Sequence, residues 1–472
     1  MGIVGRAFAS PILSWIFVSD LGVDRERRMR VAEKGLLVTD ELTERASDAR
    51  RRSDALFNLL REDAFYERPI PERHRIIFYV GHLEAFDWNL LKELQPGLKS
   101  AHPEFDRLFA FGIDPVGGGL PTDLPSDWPS LDVVHDYVFH VRDTLDKNLA
   151  NIILEPNSQT RDGFPPRTLF NVAVEHRLMH VETLAYMLHQ LPLDAKVRQP
   201  KSLHLAAPPI VQRMVSIPAG VVTLGLPRSP ETFGWDNEFA AHTVDVPAFE
   251  IDRYKVTNQQ YLEFMSAGGY ATRAFWDDDD WDWKTDHGIS HPLFWKQQGD
   301  HWFCRTMFDE VPLPLDWPVY VSRAEALAYT RWAEKSLPTE AEWQRAAYGT
   351  LDGQTRVYPW GNEVPKSSLG NFDFHRWDPV PVNSFPQGQS ALGVHDMLGN
   401  GWEWTSTVFG PFPGFETFPF YRGYSADFFD GKHFVMKGGS ARTAACMLRA
   451  TFRNWFQAHY QYVYAGFRCV RR

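Results

Sequence analysis

The chain has 472 residues, 44% of them hydrophobic, which is too long for one ordinary domain and enough for two or three with substantial cores. A formal net charge of −11 excludes a broadly basic surface for nucleic acid or anionic membranes, and no run approaches the 18 apolar residues of a membrane span. Three widely separated cysteines, Cys304, Cys446 and Cys469, suit a reducing cytoplasm better than a disulfide scaffold.

Residues 7–18 are apolar but contain Pro11 and lack a small-x-small cleavage site, so they read as a first helix or its lead-in rather than a signal segment. Residues 25–60 are charged and helical in pattern. A proline-containing connector at 66–71 leads to a second helical stretch, 72–94, that carries His82. Residues 109–129 hold Gly117, Gly118 and Gly119 and four prolines, which predicts a long irregular loop of the kind that is usually functional. Two further helices, 131–149 and 169–191, complete a four-helix pattern able to build a metal site between facing helices.

The stretch Glu175-His176-Arg177-Leu178-Met179-His180-Val181-Glu182 lies in the last of these. Residues four apart on a helix stand one above the other, so His176 and His180 can share one ion. Glu182 is rotated about 200° from His180 and is expected to accept a hydrogen bond from a histidine of a neighbouring helix instead. The best third ligand is His82. His74, His102, His135, His140 and His189 compete with it, although His135 and His140 point about 140° apart and are not a pair. Three neutral imidazoles would leave the ion's charge uncompensated and coordination positions open to anionic or imidazole substrates. On the residues alone, a zinc-dependent thiol transferase needing no O₂ is an alternative, as is a lectin-like binding module over a degenerate bundle.

A proline-rich, basic stretch at 192–209 marks a boundary, so we expect a metal-binding helical bundle in 1–200 and a second domain in 201–472. In that second part short alternating segments such as 214–220 and 221–225 are interrupted by three helices. Thr257 or Asn258 caps 257–265, Ser322 with Glu325 forms a capping box for 322–335, and Pro338-Thr339-Glu340 opens the third. Most of the 17 tryptophans lie from Trp235 onward, as expected of a loop-rich scaffold held by buried aromatics. Asp277 to Asp280 could bind calcium, but a solvated loop is the commoner arrangement.

The blocks Tyr254-Lys255-Val256-Thr257-Asn258, Leu337-Pro338-Thr339-Glu340-Ala341-Glu342-Trp343, Tyr358-Pro359-Trp360-Gly361, Asn400-Gly401-Trp402-Glu403-Trp404-Thr405, Lys437-Gly438-Gly439-Ser440 and Gly466-Phe467-Arg468-Cys469 resemble the formylglycine-generating-enzyme fold, a C-type-lectin variant. The paired redox cysteines of a true formylglycine generator are missing, since Ala441 stands five residues before Cys446. With the upstream histidines, the whole chain resembles the non-haem iron sulfoxide synthases of ergothioneine and ovothiol biosynthesis and their relative selenoneine synthase. That resemblance implies an α+β chain: a four-helix, DinB-like bundle followed by a formylglycine-generating-enzyme-like domain.

It further implies that His82, His176 and His180 hold Fe(II), and that O₂ drives the joining of sulfur or selenium to the imidazole of hercynine. By the same resemblance Tyr421 is the catalytic proton donor, and Tyr424, Asn454 and Trp455 bind the trimethylated amino acid. Met179 stands where ergothioneine synthases commonly have glutamine, and Phe456 and Tyr460 follow the Asn-Trp pair where acidic and arginine donor contacts are expected. Residues 111–120 contain no arginine, so a doubly anionic peptide would enter without bidentate partners. A neutral selenosugar is therefore the expected co-substrate, with cysteine or γ-glutamylcysteine as the alternative small thiol.

Overall fold

The computed structural model describes residues 41–95, 97–110, 120–153, 163–197, 199, 210–229 and 232–472. Segment 7–18, the start of the helical pattern at 25, and residues 111–119 of the arginine-free loop lie outside the described residues.

Helix α1 spans residues 41–57. It is followed by α2 (Ile76–Leu91), the short α3 (Pro103–Leu108), α4 (Leu131–Ile153) and α5 (Pro166–Gln190). The predicted helix at 72–94 begins later than its pattern suggested, because residues 71–75 form a turn and an irregular lead-in, and it ends in a 3-10 turn, Lys92–Leu94. Helix α4 is amphipathic: Val134, Tyr137, Val141 and Leu145 are buried on one face, while Val133 and Phe139 are exposed. Helix α2, by contrast, is buried on nearly every side, so its polar residues must be satisfied inside the protein. Gly81 is one reason it packs so closely. A Cβ there would meet the Phe109 ring at 2.4 Å, so only glycine lets Phe109 press against the turn that presents His82.

The second half is built from small sheets. Strands β1 (Met214–Ile217) and β2 (Gly220–Leu224) precede β3 (His242–Val246) and β4 (Phe249–Asp252). Helices α6 (Asn258–Ser266) and α7 (Asp278–Asp286) lead to a meander of β5 (Trp295–Gln298), β6 (His301–Arg305) and β7 (Glu310–Pro312). Helices α8 (Arg323–Trp332) and α9 (Glu340–Tyr348) then precede β8 (Trp402–Val408), β9 (His433–Lys437), β10 (Asn454–Gln457), β11 (Ala465–Gly466) and β12 (Val470–Arg471). The main sheet runs β10-β9-β8-β11, with β11 parallel to β8, and a second sheet pairs β1, β4 and β12. Thr257, Ser322 and Thr339 cap α6, α8 and α9, each in a reciprocal capping box.

The sequence blocks acquire a physical purpose here. Glu403, fully buried, lies 3.2 Å from Lys255 Nζ and accepts from Arg468 Nε at 2.6 Å and from Trp343 Nε1 at 3.1 Å. Four of the six blocks thus converge on one carboxylate, whose charge is compensated in a dry interior.

Helix α5 joins the two halves. One hydrophobic cluster runs from Leu42 on α1 through α2 and α5 to Trp402, Met436 and Phe467. Glu182 does not hold a histidine, as its wheel position suggested. It accepts from Trp402 Nε1 at 2.8 Å, Thr443 Oγ1 at 2.8 Å and Ser440 Oγ at 2.5 Å. These donors fill its lone pairs, so it pins the sheet domain to α5. Glu175, one turn before Met179, takes Trp235 Nε1 at 2.8 Å and Arg449 Nη1 at 2.7 Å, and Arg449 also binds Glu238 through Nε at 2.8 Å.

Three of the four aspartates at 277–280 have side-chain partners. Asp277 meets Arg331 at 2.6 Å, Asp278 meets Arg273, and His459 binds Asp280 at 2.8 Å. Three of them, Asp278 to Asp280, occupy the first turn of α7, where the helix dipole favours negative charge. No helix among the described residues is long and apolar enough to cross a membrane.

Candidate metal centre

His82 comes from α2, and His176 and His180 from successive turns of α5. Their ligand atoms all lie within 4.8 Å of one another, and all three residues are buried. This is the only group of three or more potential metal ligands among the described residues. The Nε2 atoms of His176 and His180 stand 3.1 Å apart, a separation that suits two cis ligands of one ion. His82 Nδ1 donates to the Phe109 carbonyl at 2.7 Å, which fixes its tautomer and gives Nε2 the lone pair. The Nδ1 atoms of His176 and His180 are buried and have no hydrogen-bond partner among the described residues.

Burial lowers the His82 imidazole to about 4. His176 and His180 are held well below the ordinary histidine range, first by burial and then by neighbouring imidazoles. All three are therefore neutral near pH 7, the form that ligates. The donor set fits a borderline divalent transition ion, with three nitrogens and no carboxylate.

Aromatic rings hold the imidazoles from outside. Phe86 stacks on His176 with centroids 3.4 Å apart, Phe78 stacks on His82 at 4.8 Å, and Tyr79 tilts against His180 at 5.8 Å. On the His176 side Tyr421 stands 6.0 Å from the imidazole and 5.2 Å from Phe86. Tyr424 is 5.5 Å from Tyr421, stacks on Trp235 at 3.9 Å and donates its hydroxyl to Met179 sulfur at 3.4 Å. Trp455 continues this wall, lying edge-on to Tyr424 at 5.4 Å and flat on Phe409 at 4.2 Å. Asn454 precedes it on β10 and accepts from the Trp455 amide at 2.9 Å.

Phe456 and Tyr460 belong elsewhere on the interface. They stack on each other at 4.8 Å beside Tyr186, farther along α5 than His180. Two of the competing histidines have other partners: His189 Nδ1 meets Tyr464 Oη at 3.0 Å and its Nε2 meets the Arg305 carbonyl at 2.9 Å, while His140 Nδ1 bonds the Asp136 carbonyl at 2.7 Å. Trp235, Phe86, Glu175 and Arg449 are contributors that sequence reasoning passed over. Only Glu175, adjacent to His176, carried any sequence signal.

Asp236 follows Trp235 and accepts a hydrogen bond from Ser425 Oγ, and burial raises its carboxyl to about 6. A raised folded-state value favours folding at low pH, and that contribution is lost as pH rises through about 6. Asp236→Asn is therefore expected to stabilise the protein at pH 7.5, by up to about 3 kcal/mol, and to make little difference near pH 4. Thermal melts at both pH values test this. A variant less stable than the parent at pH 7.5 contradicts it.

Residues 203–472 match the sulfatase-modifying factor enzyme 1-like domain, and residues 45–184 match the DinB superfamily. The chain is 39% identical over 306 residues to a hercynine oxygenase of Mycolicibacterium thermoresistibile, covering 63% of this chain and 68% of that protein. It is 37% identical over 368 residues to the hercynine oxygenase of Mycolicibacterium smegmatis, covering 72% and 83%. It is also 30% identical over 502 aligned positions to ergothioneine biosynthesis protein 1 of Neurospora crassa, covering 88% of this chain and 55% of that protein. A three-histidine cluster on the bundle, closed by an aromatic wall from the second domain, together with this likeness over both parts, shows that the chain belongs to the ergothioneine sulfoxide synthase-like family.

Proposed function

We propose that the protein is an Fe(II)- and O₂-dependent sulfoxide synthase that joins a small thiol, cysteine or γ-glutamylcysteine, to the imidazole of hercynine. The observation that carries this reading is the convergence of His82, His176 and His180 beneath Tyr421, Tyr424 and Trp455. The relatives named for hercynine oxidation and ergothioneine biosynthesis support sulfur as the chalcogen. We assign residues 1–200 to the metal-binding bundle and 201–472 to the domain that closes it.

The three imidazoles would hold the iron, which supplies O₂ activation when bound. The trimethylammonium group would lie against Tyr424 and Trp455, whose rings attract a quaternary cation, with Asn454 holding its carboxylate end. Met179, tied to the Tyr424 hydroxyl, would keep that ring upright against the substrate. Tyr421 would deliver a proton as O₂ is reduced, a role its closeness to His176 supports. In the overall reaction an imidazole C–H and a thiol S–H bond break, and C–S and S–O bonds form. The two hydrogens leave as water with the second oxygen atom, and O₂ takes up the four electrons. A cytoplasmic setting suits ferrous iron and three free cysteines.

The test is reconstitution with Fe(II), hercynine and a donor panel of cysteine, γ-glutamylcysteine, thiosugar and selenosugar, with products identified by mass. Thiol coupling in air that stops under argon is the expected result, whereas a zinc-dependent transferase would continue without oxygen. Turnover of the selenosugar alone would restore the second reading, a selenoxide synthase, which rests on the arginine-free composition of residues 111–120.

A further inference from the structure

The indole of Trp235 is fully buried and held at both ends. Its Nε1 donates to Glu175 Oε2 at 2.8 Å, and its backbone amide donates to Glu238 Oε1 at 2.8 Å. Arg449 ties the two carboxylates together: it reaches Glu175 through Nη1 at 2.7 Å and Nη2 at 3.0 Å, and Glu238 through Nε at 2.8 Å. Glu175 directly precedes His176 and stands one turn before Met179, whose sulfur accepts from the Tyr424 hydroxyl. One turn of α5 therefore carries a histidine of the cluster, the anchor of the indole and the acceptor for Tyr424.

Trp235 stacks on one face of Tyr424, with centroids 3.9 Å apart and planes 25° apart, and stands edge-on to Tyr421 at 6.3 Å. Since Met179 holds the hydroxyl, the Tyr424 ring is fixed both by its face and by its tip. Tyr421 and Trp455, which flank Tyr424, are only half-buried, so a small molecule can reach this wall. Attraction between a quaternary ammonium and an aromatic ring requires the cation to lie over the ring, so a ring free to swing loses it. A buried indole tethered to the helix of His176 and His180 keeps the wall in register with those histidines.

We propose that Trp235, tethered to Glu175 through its indole N–H, is the positioning residue that sets the Tyr424 ring against the substrate, so that the wall discriminates a trimethylammonium group from a primary ammonium. This inference rests on the function proposed above. Trp235 acts through Tyr424 and touches neither substrate nor metal. A general loss of packing would weaken methylated and unmethylated ligands alike, whereas misplacement of the ring weakens the trimethylated one selectively.

The test is anaerobic calorimetry of hercynine and of L-histidine binding to the Fe(II)-loaded full-length protein, with iron content measured on every sample. The parent is expected to prefer hercynine by roughly 10-fold. Trp235→Met, which fills the space without a ring, is expected to lower that preference to about 2-fold while retaining iron. Trp235→Phe, which keeps a ring to stack but loses the tether to Glu175, is expected to fall between. Equal binding of the two amino acids by the parent overturns the proposal, as does a parent-level preference or loss of iron in either folded variant, or a Phe variant no better than the Met variant. Should Trp235→Met fail to fold, Trp235→Phe decides alone: a reduced preference supports the proposal and a parent-level one overturns it. A parent that binds neither amino acid overturns both this inference and the proposed reaction. If the preference depends on Trp235 but air yields no coupled product with any thiol, the proposed reaction fails while the assignment of Trp235 stands.

Discussion

His180→Ala is expected to purify without stoichiometric iron and to form no detectable coupled product. His180 sits at the centre of the cluster, its ring 4.5 Å from that of His176 and 4.9 Å from that of His82. Its removal leaves two imidazoles from different helices whose ring centres are 5.3 Å apart, without the chelating pair at adjacent turns. Loss of an outer partner of a metal ligand alone costs about 10- to 100-fold in affinity, so loss of a ligand from a set of three should exceed about 100-fold. Metal analysis of the purified variant and titration of the apoprotein with Fe(II) measure this directly. A thermal melt separates metal loss from unfolding. Full iron retention by a folded variant would mean that another group ligates.

Arg177→Met is expected to destabilise the protein by roughly 3–5 kcal/mol at pH 7, because it removes the ion-pair partner of the buried Asp87 and leaves the buried Glu84 with Arg142 alone. Arg177 neighbours His176 but points to the other side of α5. It binds Glu84 at 2.9 Å, Asp87 at 2.6 Å and the Leu83 carbonyl at 3.1 Å, and so fastens α5 to the helix that bears His82. Arg142 reaches Glu84 from α4 at 2.8 Å and Asp54 at 2.7 Å.

At present the Arg177 charge, with Arg142, holds the Glu84 carboxyl below its usual range against the opposing effect of burial. Without Arg177 burial would dominate and the folded-state value would rise. A raised carboxyl favours folding only at acid pH, so the variant's deficit should be largest at neutral pH and shrink as pH falls. Denaturant unfolding at pH 5 and pH 7.5 gives the two free energies. The triple variant that adds Glu84→Gln and Asp87→Asn should recover part of the loss, since it removes the stranded charges. A pH-independent deficit would show that packing of the arginine stem, not charge, is what the site requires.

Local spacing carried much of this protein in plain view. The four-residue interval of His176 and His180 already specified a shared helical face, and Ser322 announced a helix start by the glutamate three positions on. The six sequence blocks identified the second domain correctly, and several converge on Glu403. Glu182 shows where such reasoning stops. Its rotation away from the histidines was readable, but its partners Trp402, Ser440 and Thr443 lie more than 200 residues away in the chain.

The sequence by itself determined the helices, their caps, the paired histidines and the kind of domain that follows them, because these depend on interactions within a few residues. Only the tertiary structure decided that His82 completes the cluster, that Tyr421 and Trp455 wall it, and that Arg177 fastens the two helices that carry it. Those contacts join segments far apart in the chain, and no local period encodes which distant side chain will fill the space or neutralise the charge.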